Sequence, residues 1–92
     1  MATVWIPPLM RSLTQGQEKV EVPGETVLAL IQAIDGRYPG FAARVLQDGE
    51  LKPGLSVAVD GVVSPKGVRE RVRADSEVHI VPAMSGGESA LG

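Results

Sequence analysis

Apolar residues recur at every second position in three stretches of the chain, at residues 3–6, 19–22 and 55–59. A period of two is typical of a β-strand with one buried face, so each stretch predicts a strand. The first two strands are predicted to form a hairpin closed by a short turn at residues 14–17, where Thr, Gln and Gly cluster.

A helical period follows the second strand. Val27, Leu30, Ile31 and Ile34 are spaced at i, i+3, i+4 and i+7, so they share one face of a helix. Thr26 is predicted to cap this helix, because its hydroxyl can accept a hydrogen bond from a free amide of the first turn.

Turn-forming residues divide the middle of the chain. The Pro-Gly pair at 39–40 ends the helix, and residues 41–46 predict a second, short helical turn. Residues 48–54 hold an Asp-Gly pair and a Pro-Gly pair, which predict a loop.

The last third of the chain predicts two more strands. Asp60-Gly61 is a tight-turn signal, and a short strand at 62–63 follows it. The final strand is predicted over residues 78–81, with Val78 and Ile80 on one face.

The order of elements predicts an α+β fold. It reads β-β-α-(short helix)-β-β-β, which favours a mixed sheet of four to five strands with one main helix across one face. The 92 residues suffice for one domain, predicted over residues 1–81. From residue 82 onward small and polar residues predominate, which predicts a flexible tail.

Composition excludes several classes of function. The net charge of −2 and the lack of a basic patch argue against nucleic acid. No apolar run is long enough for a membrane span, and no export signal is evident, so a cytoplasmic protein is expected. The absence of cysteine excludes thiolate chemistry, and the single histidine, His79, suggests neither a catalytic residue nor a metal site.

Three features together resemble a known family: the order of elements, the Val-x-Ile strand after an acidic turn, and the Gly86-Gly87 pair that ends five residues after Pro82. The segment 77–87 is similar to the end of the MoaD/ThiS sulfur carriers, which are ubiquitin-like proteins of the β-grasp fold. The Asp60-Gly61 turn and the start of the helix at Thr26 also resemble that family. The resemblance covers nearly all of residues 3–87.

The resemblance implies a carrier that is not itself an enzyme and binds no cofactor. A partner enzyme would use ATP to adenylate the Gly87 carboxylate, and a sulfur donor would convert it to a thiocarboxylate for a downstream biosynthetic enzyme. The residues expected to thread into the partner are Pro82, Ala83, Met84, Ser85 and Gly86. Glycine suits such a tail because it lacks a Cβ and passes close to another backbone.

The chain continues past Gly87 with Glu88-Ser89-Ala90-Leu91-Gly92, so the Gly87 carboxylate is tied up in a peptide bond. Some carriers of the resembled family are made as precursors and trimmed by a zinc metalloprotease of the JAMM type. The resemblance therefore implies cleavage between Gly87 and Glu88, with residues 88–92 removed.

A docking surface is expected on the open face of the sheet. If Val4 and Ile6 face the helix, Trp5 and Pro7 face the other way, together with His79 and Val81. An exposed tryptophan among apolar residues favours a protein contact. Matched by position, the resembled family's contact with its activating enzyme would involve Pro7, Val63 and Val81.

Three other functions remain open at this point. The chain could be the small subunit of molybdopterin synthase, although an unprocessed extension would overrun that active site. It could be a ubiquitin-like modifier joined through Gly87 to lysines of other proteins. It could also be a β-grasp interaction module with an incidental diglycine.

Overall fold

Seven strands and two α-helices form in residues 1–82, the part of the chain that this computed structural model describes. The strands are β1 (Ala2–Trp5), β2 (Lys19–Val22), β3 (Leu46–Gln47), β4 (Glu50–Leu51), β5 (Leu55–Val59), β6 (Val62–Val63) and β7 (Glu77–Pro82). The α-helices are α1 (Val27–Arg37) and α2 (Phe41–Val45), and 3-10 helices cover Pro8–Thr14 and Gly67–Arg69.

Five strands form one mixed sheet in the order β2-β1-β7-β5-β6. The neighbouring strands β1 and β7 are parallel, while every other neighbouring pair in this sheet is antiparallel. The predicted α+β architecture, with one main helix across a mixed sheet, is confirmed.

The core lies between α1 and one face of the sheet. Val27, Leu30, Ile31 and Ile34 of α1 are all buried, as the helical period predicts. They pack with the inward residues of the strands, among them Val4, Val20, Val57, Val78 and Ile80. Each fully buried aliphatic side chain stabilises the fold by about 1.5–3 kcal/mol, so this one cluster supplies most of the driving force for folding.

Thr26 caps α1 as predicted. Its Oγ1 accepts a hydrogen bond from the Ala29 amide at 3.2 Å. At the other end of the helix, Asp35 Oδ1 accepts from the amides of Gly40 and Ala42, at 3.1 and 3.0 Å. These two bonds tie the start of α2 to α1, a connection that sequence periodicity does not reveal.

The connection between β1 and β2 differs from the predicted short turn. The two strands pair antiparallel as expected, but the 3-10 helix Pro8–Thr14 joins them. Pro8 at the first position of this helix needs no amide partner, and the buried Thr14 hydroxyl bonds to the Gln17 carbonyl at 3.0 Å. The turn predicted at residues 14–17 is present, since the Gln17 amide donates to the Thr14 carbonyl at 3.0 Å, but the 3-10 helix before it was not predicted. The signal for that helix is Pro8 itself, because proline favours the first turn of a helix.

The predicted loop at 48–54 is also partly wrong. Strands β3 and β4 pair there as a small second sheet, with Leu46 opposite Leu51. Asp48 and Gly49 form the tight turn of this hairpin, both with positive φ. Each strand has only two residues, too few to show an alternating pattern.

The final strand extends one residue beyond the predicted range at each end, from Glu77 to Pro82. No helix within residues 1–82 combines the length and the apolar character needed to cross a membrane.

Candidate functional site

The open face of the sheet carries a continuous row of side chains, one from each of the five strands. The register pairs Lys19 with Trp5, Trp5 with His79, His79 with Ala58, and Ala58 with Val63. Because side chains alternate between faces, all five point away from the buried core. We call this set of residues the open-face row.

Trp5 contacts two other members of the open-face row, His79 and Lys19, and also Glu77. Its ring stacks on His79, with centroids 5.6 Å apart and planes 4° from parallel. The Lys19 ammonium lies 5.3 Å from the centroid of the Trp5 ring, a cation–π distance. The indole Nε1 donates a hydrogen bond to Glu77 Oε1 at 3.0 Å. These contacts hold a large, half-buried aromatic surface in one orientation.

Valines supply the apolar part of this face. Val63 is 61% exposed, and Val81, two residues after His79 on the same face of β7, is 36% exposed. Val62 is 69% exposed, but it pairs with Val59 and therefore points to the opposite side of the sheet. The predicted docking residues Trp5, Val63 and Val81 thus lie on one face and are accessible.

Pro7 departs from that expectation because it is buried. The chain leaves the strand at Trp5, and the Pro7 carbonyl accepts from the Met10 amide at 2.9 Å in the first turn of the 3-10 helix. Pro7 thus lies beyond the end of β1, where alternation along the strand does not predict exposure. Pro7 instead lines a small groove beside Trp5, His79 and Arg11, with a volume of about 190 Å³.

The tail leaves the sheet at a defined place. Pro82 pairs with Leu55 at the start of β5, at the same end of the sheet as the 3-10 helix Pro8–Thr14. Pro82 is therefore the last residue of a strand as well as the first residue of the predicted tail. The other predicted tail and processing residues, Ala83, Met84, Ser85, Gly86, Gly87 and Glu88, lie outside the described residues.

A turn at the opposite end of β5 fixes the start of β7. Asp60 has a positive φ of 51° and is followed by Gly61 at 87°, which confirms the predicted tight turn. The Glu77 amide donates to Asp60 Oδ1 at 2.8 Å, and this bond lowers the pKa of the Asp60 carboxyl below its ordinary value. A smaller effect of desolvation opposes this shift, while Ser76 and Arg73 act in the same direction as the bond.

Lys19 was missed as a site residue by sequence reasoning. Alternation alone places it on one face of β2, but only the register sets it beside Trp5. Arg69, Arg71 and Arg73 are exposed, and two of them pair with acids: Arg69 with Glu50 at 2.7 Å and Arg71 with Glu25 at 3.7 Å.

Comparison with known proteins gives a consistent result. The ThiS family model matches residues 4–87. The sulfur carrier protein CysO of Mycobacterium tuberculosis is 30% identical over 90 residues, which cover 92% of this chain and 97% of CysO.

A solved structure has the same fold, and a relative of a second class is similar in sequence. A chain in the crystal structure of the BexX/CysO complex of Amycolatopsis orientalis is 31% identical, with a TM-score of 0.87 over 95% of this chain and 100% of that chain. Small archaeal modifier protein 3 of Haloferax volcanii is 31% identical over 64 residues, covering 67% of this chain and 70% of that protein.

Proposed function

The chain belongs to the ThiS family, and on that premise we propose that it carries sulfur as a thiocarboxylate on Gly87 and delivers it to a biosynthetic enzyme. The resemblance predicted from the sequence, and the β-grasp fold it implied, are confirmed. Relatives of this chain are named sulfur carrier proteins, which supports a carrier and not a catalyst.

The extent of the family match is the observation that carries this proposal. It begins in β1 and ends at Gly87, the second glycine of the pair, although the chain continues for five more residues. A match that stops at this glycine supports Gly87 as the functional end of the protein. The residues after it are then an extension to be removed.

The proposed chemistry proceeds in two steps. A partner enzyme joins the Gly87 carboxylate to the α-phosphorus of ATP, and pyrophosphate leaves. Sulfide, or the terminal sulfur of a persulfide, then attacks the acyl carbon, the bond to AMP breaks, and a thiocarboxylate remains. A persulfide donor also requires a thiol to reduce the resulting acyl disulfide. The chain contains no cysteine, so no side-chain thiol of its own competes for the sulfur.

The open face supports a separate partner enzyme. Trp5 is held rigidly by His79, Lys19 and Glu77, and rigid aromatic anchors lose little conformational entropy on binding. Val63 and Val81 add accessible apolar area beside it. The similar CysO chain of Amycolatopsis orientalis was crystallised with BexX, so a chain of this fold does bind another protein.

Before adenylation, the peptide bond between Gly87 and Glu88 must be hydrolysed. We propose that a zinc metalloprotease of the JAMM type removes residues 88–92. The proposal places the whole cycle in the cytoplasm, since the activating step consumes ATP.

Mass spectrometry tests the proposal. The chain ending at Gly87 is incubated with the activating enzyme encoded in the same genome, ATP and sulfide, and we expect its mass to rise by the replacement of one oxygen with sulfur. The full chain of 92 residues is the matched control, which should stay unmodified unless the protease is added. A chain ending at Gly87 that keeps its carboxylate under these conditions would refute the carrier function.

A second candidate is a protein modifier, favoured by the similarity to small archaeal modifier protein 3. Both functions need the same activated Gly87, but they differ in what attacks it. A modifier forms an isopeptide bond with a lysine of another protein. No Lys or Arg lies between Arg73 and Gly87, so trypsin would leave residues 74–87 attached to the target lysine. Peptides that carry this remnant on lysine, found in tryptic digests of cells expressing this chain, would establish that role.

A further inference from the structure

A second surface feature lies at the end of the sheet where the tail begins. A groove with a volume of about 230 Å³ runs between the 3-10 helix Pro8–Thr14 and the start of β5. Its apolar lining includes Leu9, Leu13 and Leu55. We call it the end groove. It is separate from the open-face row, because Leu55 lies on the same side of β5 as the buried Val57.

Accessible leucines make up much of the end groove. Leu9 is 90% exposed, and Leu13 and Leu55 are only partly buried. A cluster of accessible leucines on so small a protein indicates a contact surface.

Two cations flank the leucines. Arg44 of α2 and Lys52 line the same groove. Neither of them forms an ion pair with another residue in the range 1–82. The surface therefore suits a ligand with both an aliphatic side chain and a carboxylate.

The chain itself supplies such a ligand. We propose that Glu88 and Leu91 of the C-terminal extension dock in the end groove before the extension is removed. Leu91 would lie against Leu9 and Leu13, and the Glu88 carboxylate would lie near Lys52 and Arg44.

Geometry permits this docking. Pro82 is the strand partner of Leu55, which lines the groove, so the tail starts beside its own binding site. Nine residue steps separate Pro82 from Leu91, a reach of up to about 30 Å. A tether this short also gives the extension an effective concentration in the millimolar range, so weak contacts suffice for occupancy.

The proposal has a consequence for processing, and this part rests on the proposed carrier function. A docked extension holds the Gly87–Glu88 bond against the body of the protein. Cleavage then requires the extension to leave the groove, so weakening the docking should speed removal of residues 88–92.

Docking can be tested without any partner enzyme. Because the chain has no cysteine, Ala90→Cys creates a unique site for a nitroxide spin label. We expect the label to broaden the amide signals of Leu9, Leu13 and Leu55 selectively in NMR spectra. Replacing Leu91 with Ser and Glu88 with Gln in the same labelled chain should abolish that selectivity, as should Leu9→Asp in the groove.

Ser89→Thr in the labelled chain is the control, since it alters the extension but keeps both proposed contact residues. It should leave the broadening unchanged. Broadening that is the same with and without Leu91 and Glu88 would overturn the docking proposal. That result would not bear on the carrier function, which is measured on the chain that ends at Gly87.

Discussion

Trp5 and His79 come from parallel neighbouring strands and stack with planes 4° apart, so the largest side chain on the open face is fixed by a partner 74 positions later in the sequence. The stack restricts the conformations of the Trp5 side chain, so the indole loses little further freedom on binding. This relationship makes Trp5 the expected anchor of the partner contact.

Trp5→Ala should weaken binding of the activating enzyme by about tenfold or more, the usual cost of removing a central aromatic anchor. His79→Ala leaves the indole in place, together with its hydrogen bond to Glu77, and should have a smaller effect. Isothermal titration calorimetry on the chain ending at Gly87 measures both. Equal affinity of the Trp5→Ala chain and the unchanged chain would exclude the open face as the docking site.

The adjacent valines of β6 allow a matched test of which face binds. Val63→Asp places a charge on the open face and should reduce affinity for the partner by at least about tenfold, because the charge is desolvated without a partner. Val62→Asp introduces the same charge one residue away, on the other face of the sheet. Both valines are more than half exposed, so neither change should unfold the protein. An equal loss of affinity in the two variants would contradict face-specific docking.

Two glycines should respond to alanine in opposite directions. A Cβ at Gly24 would lie 2.9 Å from Leu30 Cδ2 and 3.1 Å from the Leu30 backbone nitrogen, so Gly24→Ala should reduce the free energy of unfolding by about 1–3 kcal/mol. Gly36 lies within α1 with open space around it, so Gly36→Ala should increase that free energy by about 0.5–1 kcal/mol. Urea unfolding measures both. A stabilising Gly24→Ala would show that the start of α1 has room that the structure does not indicate.

The elements that sequence predicts well are those with a long, clean period. The α1 face, the Thr26 cap and strands β2 and β5 depend on local spacing, and the structure has them where that spacing puts them. The β3–β4 hairpin and the 3-10 helix at Pro8–Thr14 escaped prediction because two-residue strands and 3-10 turns leave no periodic signal.

The residues of the candidate site likewise divide into those that local spacing predicts and those that it does not. Alternation within β1 and within β7 is enough to place Trp5, His79 and Val81 on one face of the sheet. Alternation does not place Lys19 beside Trp5, since that depends on strand register. Alternation also does not predict the burial of Pro7, which lies beyond the last residue of β1.

The turn at Asp60 predicts a pH dependence of stability. The pKa of its carboxyl is lowered in the folded state, chiefly by the hydrogen bond from the Glu77 amide. A group with a lowered folded-state pKa contributes stability above its unfolded pKa and loses that contribution as pH falls through the folded value. We therefore expect the stability gap between the unchanged chain and Asp60→Asn to shrink on acidification between about pH 5 and pH 2.

Asparagine is the right replacement at this position, because it tolerates a positive φ and its amide oxygen still accepts from Glu77. The turn is thus kept and only the charge is lost. Asp48→Asn is the matched control, since Asp48 also precedes a glycine and has a similar φ of 54°. Urea unfolding across the acid range compares the two variants. If the free energies of unfolding of Asp60→Asn and Asp48→Asn keep a constant difference at every pH, the Asp60–Glu77 bond does not couple protonation to folding.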